Sequence, residues 1–432
     1  MLYNAYSQKL TGQVRSRKDP MSYLNVILVG PTSSGKTAFM RTLCERMKHN
    51  IIRGTFRESK PMVLKEPIRP TEELYSVSMH IEEHGQRTAL TLVDTPGFTT
   101  GFSVDHQLRY IAKYIDHQFE LTLAEETKIR RDSKALDTHI HACIYFIDTK
   151  VSGLSDVDRY VIKLLGSRVN VLPVIGKADT LTQVQRENIK SGFRKEVFDV
   201  LHAPVYGYIE VDDEDEDIEE DGDEDNSANS EKMVFREKAQ SGQEEKSSGR
   251  SLEGIIHFLQ ECIDEDDDKD AHAMLEYLDV VPFTLISYEE DPDTGRPMLI
   301  TPNSKENHTP FGDLGNDSDE EGISSSPSVF LPHSFSGNSY KSLRLGRSEP
   351  ILKPSKSKPV LGRRYPWAVV ECGNPDHCDF EKLKMFLLGS HRDMLRVDTF
   401  ERFYEKYRSA QLLNRRADQI LNLKTRTPHV ST

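Results

Sequence analysis

The clearest chemical pattern in the sequence is the stretch GPTSSGKT, which begins at Gly30 and ends at Thr37. It matches the P-loop pattern G-x-x-x-x-G-K-[ST], in which backbone N–H groups of a tight turn point at phosphate oxygens. Lys36 supplies positive charge to the terminal phosphates of a nucleotide, and the hydroxyl of Thr37 is a ligand for Mg²⁺. The residues predicted to contact the nucleotide are Gly30, Ser33, Ser34, Gly35, Lys36, Thr37 and Ala38.

The elements on either side of this turn decide how the pattern is interpreted. The apolar run over residues 24–30 predicts a buried strand, and residues 37–49 have a helical pattern. A helix that begins near Thr37 directs the positive end of its dipole at the same phosphates. The alternative is a glycine-rich turn without a ligand. A strand before the turn and a helix after it favour nucleotide binding over that alternative.

A second candidate site residue is Asp94, which ends an apolar strand in LTLVDTPGF. An aspartate at the end of such a strand can hold Mg²⁺ through a water, and the N–H of Gly97 can reach a γ-phosphate. The sequence Asp-Thr-Pro-Gly is also a good turn, so a purely structural role is the alternative. Its position after a P-loop favours a segment that senses the γ-phosphate.

A third candidate lies in VIGKADTLT, residues 174–182, which follows another apolar strand. The carboxylate of Asp179 can accept hydrogen bonds from guanine N1–H and the exocyclic amine, a pair of donors that adenine lacks. The stem of Lys177 can lie across the base. Alone, a lysine and an aspartate on a surface loop are a weak signal. After the first two motifs, in this order, they indicate guanine. The adenine alternative, a nucleotide-monophosphate kinase, needs a second arginine-rich phosphate site that the sequence does not show.

The composition describes a nearly neutral chain that carries one acidic block. The 432 residues have a formal net charge of −14, but residues 210–225 contain 13 acids and no Lys or Arg. Without that block the net charge would be −1. The chain therefore has no excess of basic residues that would suggest a nucleic acid partner. Five cysteines at irregular spacing favour reduced thiols. We expect no signal peptide and no membrane-spanning segment.

Apolar runs and helical patterns alternate along the chain, which predicts an α/β fold with a doubly wound, mostly parallel sheet. The pattern fails twice, over about 210–250 and about 290–357, and resumes each time. We therefore expect one domain over 23–421 with two disordered insertions, an N-terminal segment 1–22 and a tail 422–432. The other predicted strands cover 74–85, 88–94, 139–148 and 169–175, and the helices 155–165, 182–201, 379–391 and 396–421. The apolar pattern also recovers over 252–263 and 281–287.

The three motifs together with GRRYPWAVVEC (362–372) and HCDFEKL (377–383) resemble the septins. The resemblance covers about 20–290 and 358–410 and implies a P-loop GTPase fold with a septin-specific C-terminal extension. It implies a GTP- or GDP-binding subunit with Mg²⁺ that assembles with other septins into filaments through two alternating faces. It also implies a cytoplasmic, cytoskeletal location at the cell cortex or division septum. The chain resembles a divergent, fungal-type septin without a long C-terminal coiled coil.

The resemblance assigns further site residues one by one. Arg363 would pack on the guanine, and Tyr365 and Trp367 would line the nucleotide-side face. The alternative for Trp367 is plain core, because a tryptophan in a strand is more often buried. Thr71 would contact the γ-phosphate and is the candidate catalytic residue. The metal residues would be Thr37, Thr71 and Asp94. The sequence departs from the family pattern at five positions. They are Gly166 in place of a histidine, Gly176 in place of an alanine, Gln185 in place of a glutamate, and Ser287 and Ala368, each in place of a glycine.

The sequence leaves the function open between a slow GTPase and a filament subunit whose nucleotide is structural. Many small GTPases have a water-orienting glutamine after the switch glycine, and this chain has Phe98, which cannot orient water. A third alternative is a regulatory GTPase that does not polymerise. Basic residues over 341–364, and a short cluster over 15–18, also predict attraction to anionic lipid, with a solvated linker as the alternative. We expect no nucleic acid partner.

Overall fold

The structure is a computed structural model that describes residues 21–60, 63–83, 85–99, 104–128, 136–147, 153–208, 251–300 and 359–426. Residues 1–300 and 361–432 form one compact unit, and residues 301–360 form a second. The predicted insertion over 210–250 lies outside the described residues. The predicted insertion over 290–357 does too, except for residues 290–300.

A seven-stranded sheet forms the centre of the first unit, in the order β2-β3-β4-β1-β5-β6-β7. The strands β1, β4, β5, β6 and β7 pair in parallel, and β2 and β3 pair antiparallel at one edge. This confirms the predicted α/β fold with a mostly parallel sheet. The bounds are β1 Ser22–Val29, β2 Arg57–Glu58, β3 Tyr75–Glu83, β4 Gln86–Asp94, β5 Ala142–Ile147, β6 Asn170–Ile175 and β7 Phe283–Thr284.

The middle strands are buried along their whole length because helices cover both faces of a parallel sheet. Every residue of β5 and of β6 is buried, which explains why these strands are continuous apolar runs in the sequence. The carboxyl ends of parallel strands meet at one edge of the sheet, where ligands bind in folds of this class. The loops after β1, β4 and β6 carry the three predicted motifs to that edge.

The helices are α1 Lys36–Met47, α2 Val104–Glu126, α3 Asp156–Gly166, α4 Gln183–Arg194, α5 Leu252–Asp266, α6 Lys269–Val280, α7 Phe380–Met385, α8 Arg392–Asp398 and α9 Glu405–Arg426. Short π-helical turns over Lys195–Val200, Phe386–Ser390 and Thr399–Tyr404 extend α4, extend α7 and join α8 to α9. The last helical run therefore begins at Arg392, not near residue 396. The sequence interpretation missed α2 and α6.

A second, three-stranded sheet lies near the guanine motif, in the order β10-β9-β8. Its strands are β8 Leu299–Ile300, β9 Val360–Arg364 and β10 Val369–Glu371. A hairpin over residues 289–298 precedes β8 and is closed by an antiparallel bridge between Glu290 and Pro297. Within the described part of the chain, no helix is long and apolar enough to cross a membrane.

Candidate nucleotide-binding site

The phosphate-binding turn joins β1 to α1, as the motif predicts. Gly30 has φ 151°, and a Cβ at this position would lie 2.7 Å from the backbone oxygen of Phe146. No side chain fits there, because the turn passes directly over β5. Ser33 has φ 63°, a left-handed conformation that is uncommon for a residue with a side chain. The turn therefore packs closely on Phe146 of β5.

Lys36 is held inside the turn and is only 5% exposed. Its Nζ donates to the backbone oxygens of Gly30 at 2.9 Å and Pro31 at 2.8 Å. Burial lowers the pKa of Lys36 to about 8, although the carboxylate of Asp94 acts in the opposite direction. Among the described residues this ammonium group has two neutral carbonyls as its hydrogen-bond partners, so it is well suited to an anionic ligand.

Three oxygen-bearing side chains converge beside Lys36, and we call them the Thr37–Thr71–Asp94 cluster. The hydroxyls of Thr37 and Thr71 donate to Asp94 Oδ2 at 2.7 and 2.9 Å, and the two hydroxyl oxygens are 3.2 Å apart. The Oδ1 atom of Asp94 is buried and has no hydrogen-bond partner among the described residues. Burial raises the pKa of Asp94 despite the two hydroxyls and Lys36. The structure thus brings together the three residues predicted to hold Mg²⁺.

The DTPGF segment lies directly against the phosphate-binding turn. The N–H of Thr32 donates to the oxygen of Phe98 at 2.9 Å, and the N–H of Phe98 donates to Gly30 at 3.2 Å. A Cβ at Gly97 would lie 2.5 Å from the Cα of Thr32, so only glycine allows this approach. The ring of Phe98 is buried in the core and 5% exposed, so it takes no part in orienting a water.

The predicted guanine-recognising carboxylate, Asp179, already has protein donors. Its Oδ2 accepts from Arg363 Nη1 at 3.1 Å and from the hydroxyl of Tyr365. Its Oδ1 is buried and has no hydrogen-bond partner in the part of the chain that the structure describes. Arg363 Nε also donates to the oxygen of Ser287 at 3.0 Å. Burial acts to lower the pKa of Arg363, but Asp179 and Tyr365 together outweigh it and the pKa is raised. The predicted stem of Lys177 is exposed at the edge of this site.

Trp367 is not a core residue. It is 81% exposed, and its ring stacks on Tyr365 with centroids 5.5 Å apart and an angle of 16°. The interpretation of this tryptophan as plain core, which the strand context allowed, does not hold. An exposed tryptophan that stacks on a half-buried tyrosine beside the guanine motif is instead typical of a contact surface.

Two of the departures from the septin pattern have local structural roles. Gly166 ends α3 and is buried, and a Cβ there would lie 2.1 Å from the backbone oxygen of Pro204. Gln185 closes the N-terminus of α4, because its Oε1 accepts from the N–H of Thr182 while its own N–H donates to Thr182 Oγ1. A glutamine serves as well as a glutamate in such a capping box.

The residues present fit a Mg²⁺-bound nucleotide at the phosphate end. The turn is closed against Phe146 at Gly30, whereas a Cβ at Gly35 would meet nothing within 4 Å, so space stays open at this end of the turn. The orphaned Asp94 Oδ1 is an acceptor without a donor among the described residues. At the base end the fit is partial. Asp179 Oδ1 is open to one guanine donor, whereas a second donor would compete with Tyr365 and Arg363 for Oδ2.

Sequence reasoning missed two charged residues beside the site, Arg41 and Glu290. Arg41 is 3% exposed and forms an ion pair with Glu290 at 2.9 Å. One signal was available, since Arg41 follows Thr37 by four residues and so lies on the same face of α1. No pattern in the sequence could have identified Glu290 as its partner.

The fold and the geometry of the turn define a P-loop, nucleotide-binding α/β protein. The sequence model of the septin family matches residues 21–252 and 345–420, which is more than half of the chain. The chain belongs to the septin family.

Two sequence relatives from distant organisms agree with this assignment. The neuronal-specific septin-3 of Danio rerio is 27% identical over 388 residues, which cover 90% of this chain and 74% of the relative. The septin homolog spn3 of Schizosaccharomyces pombe is 26% identical over 391 residues, which cover 90% of this chain and 73% of the relative. A crystal structure of a septin GTPase domain from Chlamydomonas reinhardtii has a TM-score of 0.46 at 16% identity, covering 90% of this chain and 99% of that one. The chain is a divergent septin, and the fungal type stays a prediction because animal and yeast relatives are equally similar.

Proposed function

We propose that this protein is a guanine-nucleotide-binding septin subunit that holds GTP or GDP with Mg²⁺ and assembles with other septins into cortical filaments or rings. Its role would be in cytokinesis and morphogenesis. The Thr37–Thr71–Asp94 cluster supports the proposal most strongly, because side chains from three separate segments converge on one buried, partly unpaired carboxylate. Family membership supports the guanine nucleotide and the assembly.

Each residue of the phosphate end has a distinct role in this proposal. Lys36 neutralises charge on the β- and γ-phosphates, and the N–H of Gly97 faces the γ-phosphate. Thr37, Thr71 and Asp94 would hold the metal, the first two through their hydroxyl oxygens. Mg²⁺ would supply positive charge to the phosphates. Asp179 accepts from the guanine, with Arg363 and Lys177 against the base.

Hydrolysis would be slow or absent in this protein. Phe98 occupies the place of a water-orienting glutamine, and its ring is buried in the core. Thr71 is then the candidate for the residue that positions the attacking water. Turnover of GTP measured with the wild-type protein and Thr71→Ala tests this role. Equal turnover by the two proteins would exclude Thr71 as the catalytic residue.

The resident nucleotide provides the direct test of the proposed function. The full-length protein is purified, denatured, and the released nucleotide is identified by ion-exchange chromatography. Stoichiometric GDP or GTP supports a guanine-binding subunit, and GDP recovered after loading with GTP indicates hydrolysis. Release of an adenine nucleotide, or no binding of added guanine nucleotide, would contradict the proposal.

Assembly would rely mainly on the face opposite the nucleotide. Gly166 and Gln185 offer less to a neighbour's nucleotide than a histidine and a glutamate would, whereas α9 exposes Leu412 and Leu413, at 43% and 67%. Weak self-association through the nucleotide face would then give the subunit a terminal or accessory place in a mixed filament. Analytical ultracentrifugation of Trp367→Glu and of a chain truncated before Phe400 separates the faces. Dissociation by Trp367→Glu alone would show that the nucleotide face dominates.

Gly166 and Gln185 also favour a second candidate function, a regulatory GTPase that does not polymerise. Sedimentation and electron microscopy of the protein with septin partners distinguish the two functions, since only a filament subunit enters polymers. Attraction to anionic lipid is a further part of the proposal. The basic residues before position 359 that would carry it lie outside the described residues. Arg363, which belongs to the same cluster, is paired with Asp179.

A further inference from the structure

A buried arginine on α1 holds the segment that leads to Thr71. Arg41 lies one turn after Thr37 on the same face of the helix and is 3% exposed. Its Nη1 donates to the oxygen of Glu66 at 2.7 Å, and its Nη2 donates to the oxygen of Val63 at 2.9 Å. We call residues 63–71 the switch segment. Arg41 therefore fixes the start of the switch segment on the helix that carries the Mg²⁺ ligand Thr37.

Glu290 completes this contact from the other side of the switch segment. Its Oε1 lies 2.9 Å from Arg41 Nη1, with side chains that are 14% and 3% exposed respectively. Its Oε2 accepts from the backbone N–H of Ile68 at 3.3 Å. Burial raises the pKa of Glu290 against the influence of Arg41. The loss of either charge would leave its partner buried without a counter-charge, which makes the pair a strong constraint.

The hairpin that carries Glu290 also touches the switch segment through its backbone. Gly295 has φ 65°, and a Cβ there would lie 2.5 Å from the carbonyl group of Glu66. Glu289, the residue directly before Glu290, donates its N–H to the oxygen of Gly362 in β9 at 2.9 Å. Since β9 also carries Arg363, the hairpin connects the guanine end of the site to the switch segment.

The distance along the chain from this contact to the Mg²⁺ site is short, and the chain between them is stiff. Ile68 and Thr71 are separated by two residues, and Pro67 and Pro70 each fix one φ angle beside them. The hydroxyl of Thr71 then donates to Asp94 at 2.9 Å. A displacement of Ile68 must therefore move Thr71.

We propose that the Arg41–Glu290 ion pair positions Thr71, so that it selectively strengthens binding of a Mg²⁺-bound nucleoside triphosphate over the diphosphate. This inference rests on the proposed guanine-nucleotide function. Arg41 and Glu290 are positioning residues, because their contacts reach the nucleotide only through the switch segment. The diphosphate lacks the γ-phosphate that Thr71 would contact and leaves only the contact of Thr71 with the metal, so its affinity should depend on the pair much less than the affinity for the triphosphate does.

Glu290→Gln tests this role, because glutamine keeps the shape of the side chain and removes its charge. The affinities of wild-type and variant protein are measured for a non-hydrolysable GTP analogue and for GDP, each with Mg²⁺. We expect the variant to bind the analogue about tenfold more weakly and GDP within about twofold of wild type. Glu381→Gln is the matched control, since it removes the ion pair of Arg46 with Glu381 at the far end of α1, at 2.7 Å.

A double-variant cycle separates positioning from general stabilisation. Thr71→Ala should weaken the analogue to a similar extent, and Glu290→Gln added to Thr71→Ala should have little further effect. Hydrogen exchange at the amide of Ile68 should accelerate in Glu290→Gln and stay unchanged in Glu381→Gln. Arg41→Lys keeps the charge but loses the second donor, so it should give an intermediate preference for the triphosphate.

The outcomes distinguish this inference from the function on which it rests. If the wild-type protein binds neither nucleotide, the proposed function is wrong and the positioning role is lost with it. If the wild-type protein binds both, three results overturn the positioning role alone. These are an unchanged triphosphate-to-diphosphate ratio in Glu290→Gln, an equal loss for both nucleotides, or additive effects in the double variant.

Discussion

Replacement of Lys36 should separate nucleotide affinity from the stability of the nucleotide-free protein. In the structure Lys36 is 5% exposed, and its pKa is lowered to about 8 from 10.5 by burial. At about 1.4 kcal/mol per pKa unit, keeping this charge buried costs about 3 kcal/mol without a ligand. A neutral side chain removes that cost but also leaves the oxygens of Gly30 and Pro31 without this donor, so the two effects largely offset each other. Lys36→Met should therefore leave the thermal stability of the nucleotide-free protein nearly unchanged.

The affinity of the same variant should fall steeply. A hydrogen bond to a charged group contributes about 1.5–3 kcal/mol, and Lys36 is placed to reach both the β- and the γ-phosphate. The loss of both contacts raises the Kd for GTP by about 10²- to 10⁴-fold. At a nucleotide concentration 100 times the wild-type Kd, binding stabilises the wild-type protein by about 2.7 kcal/mol. The variant should gain no more than about 0.4 kcal/mol at that concentration.

Isothermal titration calorimetry gives the Kd, and thermal denaturation with and without nucleotide gives the stability. Lys190→Met is the matched control, because Lys190 is also buried but pairs with Asp379 at 2.7 Å, away from the phosphate-binding turn. Its loss leaves the buried Asp379 with only Lys382 at 3.6 Å and the donors of Thr284, so it should reduce stability by as much as about 3–5 kcal/mol and leave the Kd unchanged. Retention of stoichiometric guanine nucleotide by Lys36→Ala or Lys36→Met would show that the P-loop assignment is wrong.

Three further predictions test other parts of the structure. Asp179→Asn should reduce the preference for GTP over ATP by about 10- to 100-fold, because one charged acceptor is lost, and an unchanged preference in competition binding would exclude Asp179 as the guanine acceptor. Gly166→Ala should lower the free energy of unfolding by about 1–3 kcal/mol, since the new Cβ meets the oxygen of Pro204, as chemical denaturation can measure. Burial lowers the pKa of His391 from 6.5 to about 4, so the unfolded chain binds a proton that the folded protein does not. Stability should therefore fall by about 3 kcal/mol from this group as the pH falls from about 6.5 to about 4. His391→Gln should flatten that part of the curve, and identical pH dependence in both proteins would contradict the assignment.

The sequence was sufficient for the features that depend on contiguous residues. The turn from Gly30 to Thr37 needs only its own backbone conformation, and the strand before it and helix after it have strong hydrophobic patterns. The same holds for Asp94 and Asp179, because each follows a buried strand of a parallel sheet and must reach its carboxyl edge. The sequence also contains a hydrophobic pattern that is sufficient to predict α2. Its buried residues are Leu108, Ile111, Ala112, Ile115, Phe119 and Leu123.

Only the tertiary structure decided which distant side chains meet. Arg363 contacts Asp179 across 184 residues, and Arg41 contacts Glu290 across 249 residues. No local pattern specifies such pairs, because each depends on how the small sheet and its hairpin pack on α1 and on the loop after β6. The role of Gly166 also depends on packing. In the sequence this residue is only a departure from a histidine, whereas in the structure the backbone of Pro204 leaves room for no residue but glycine.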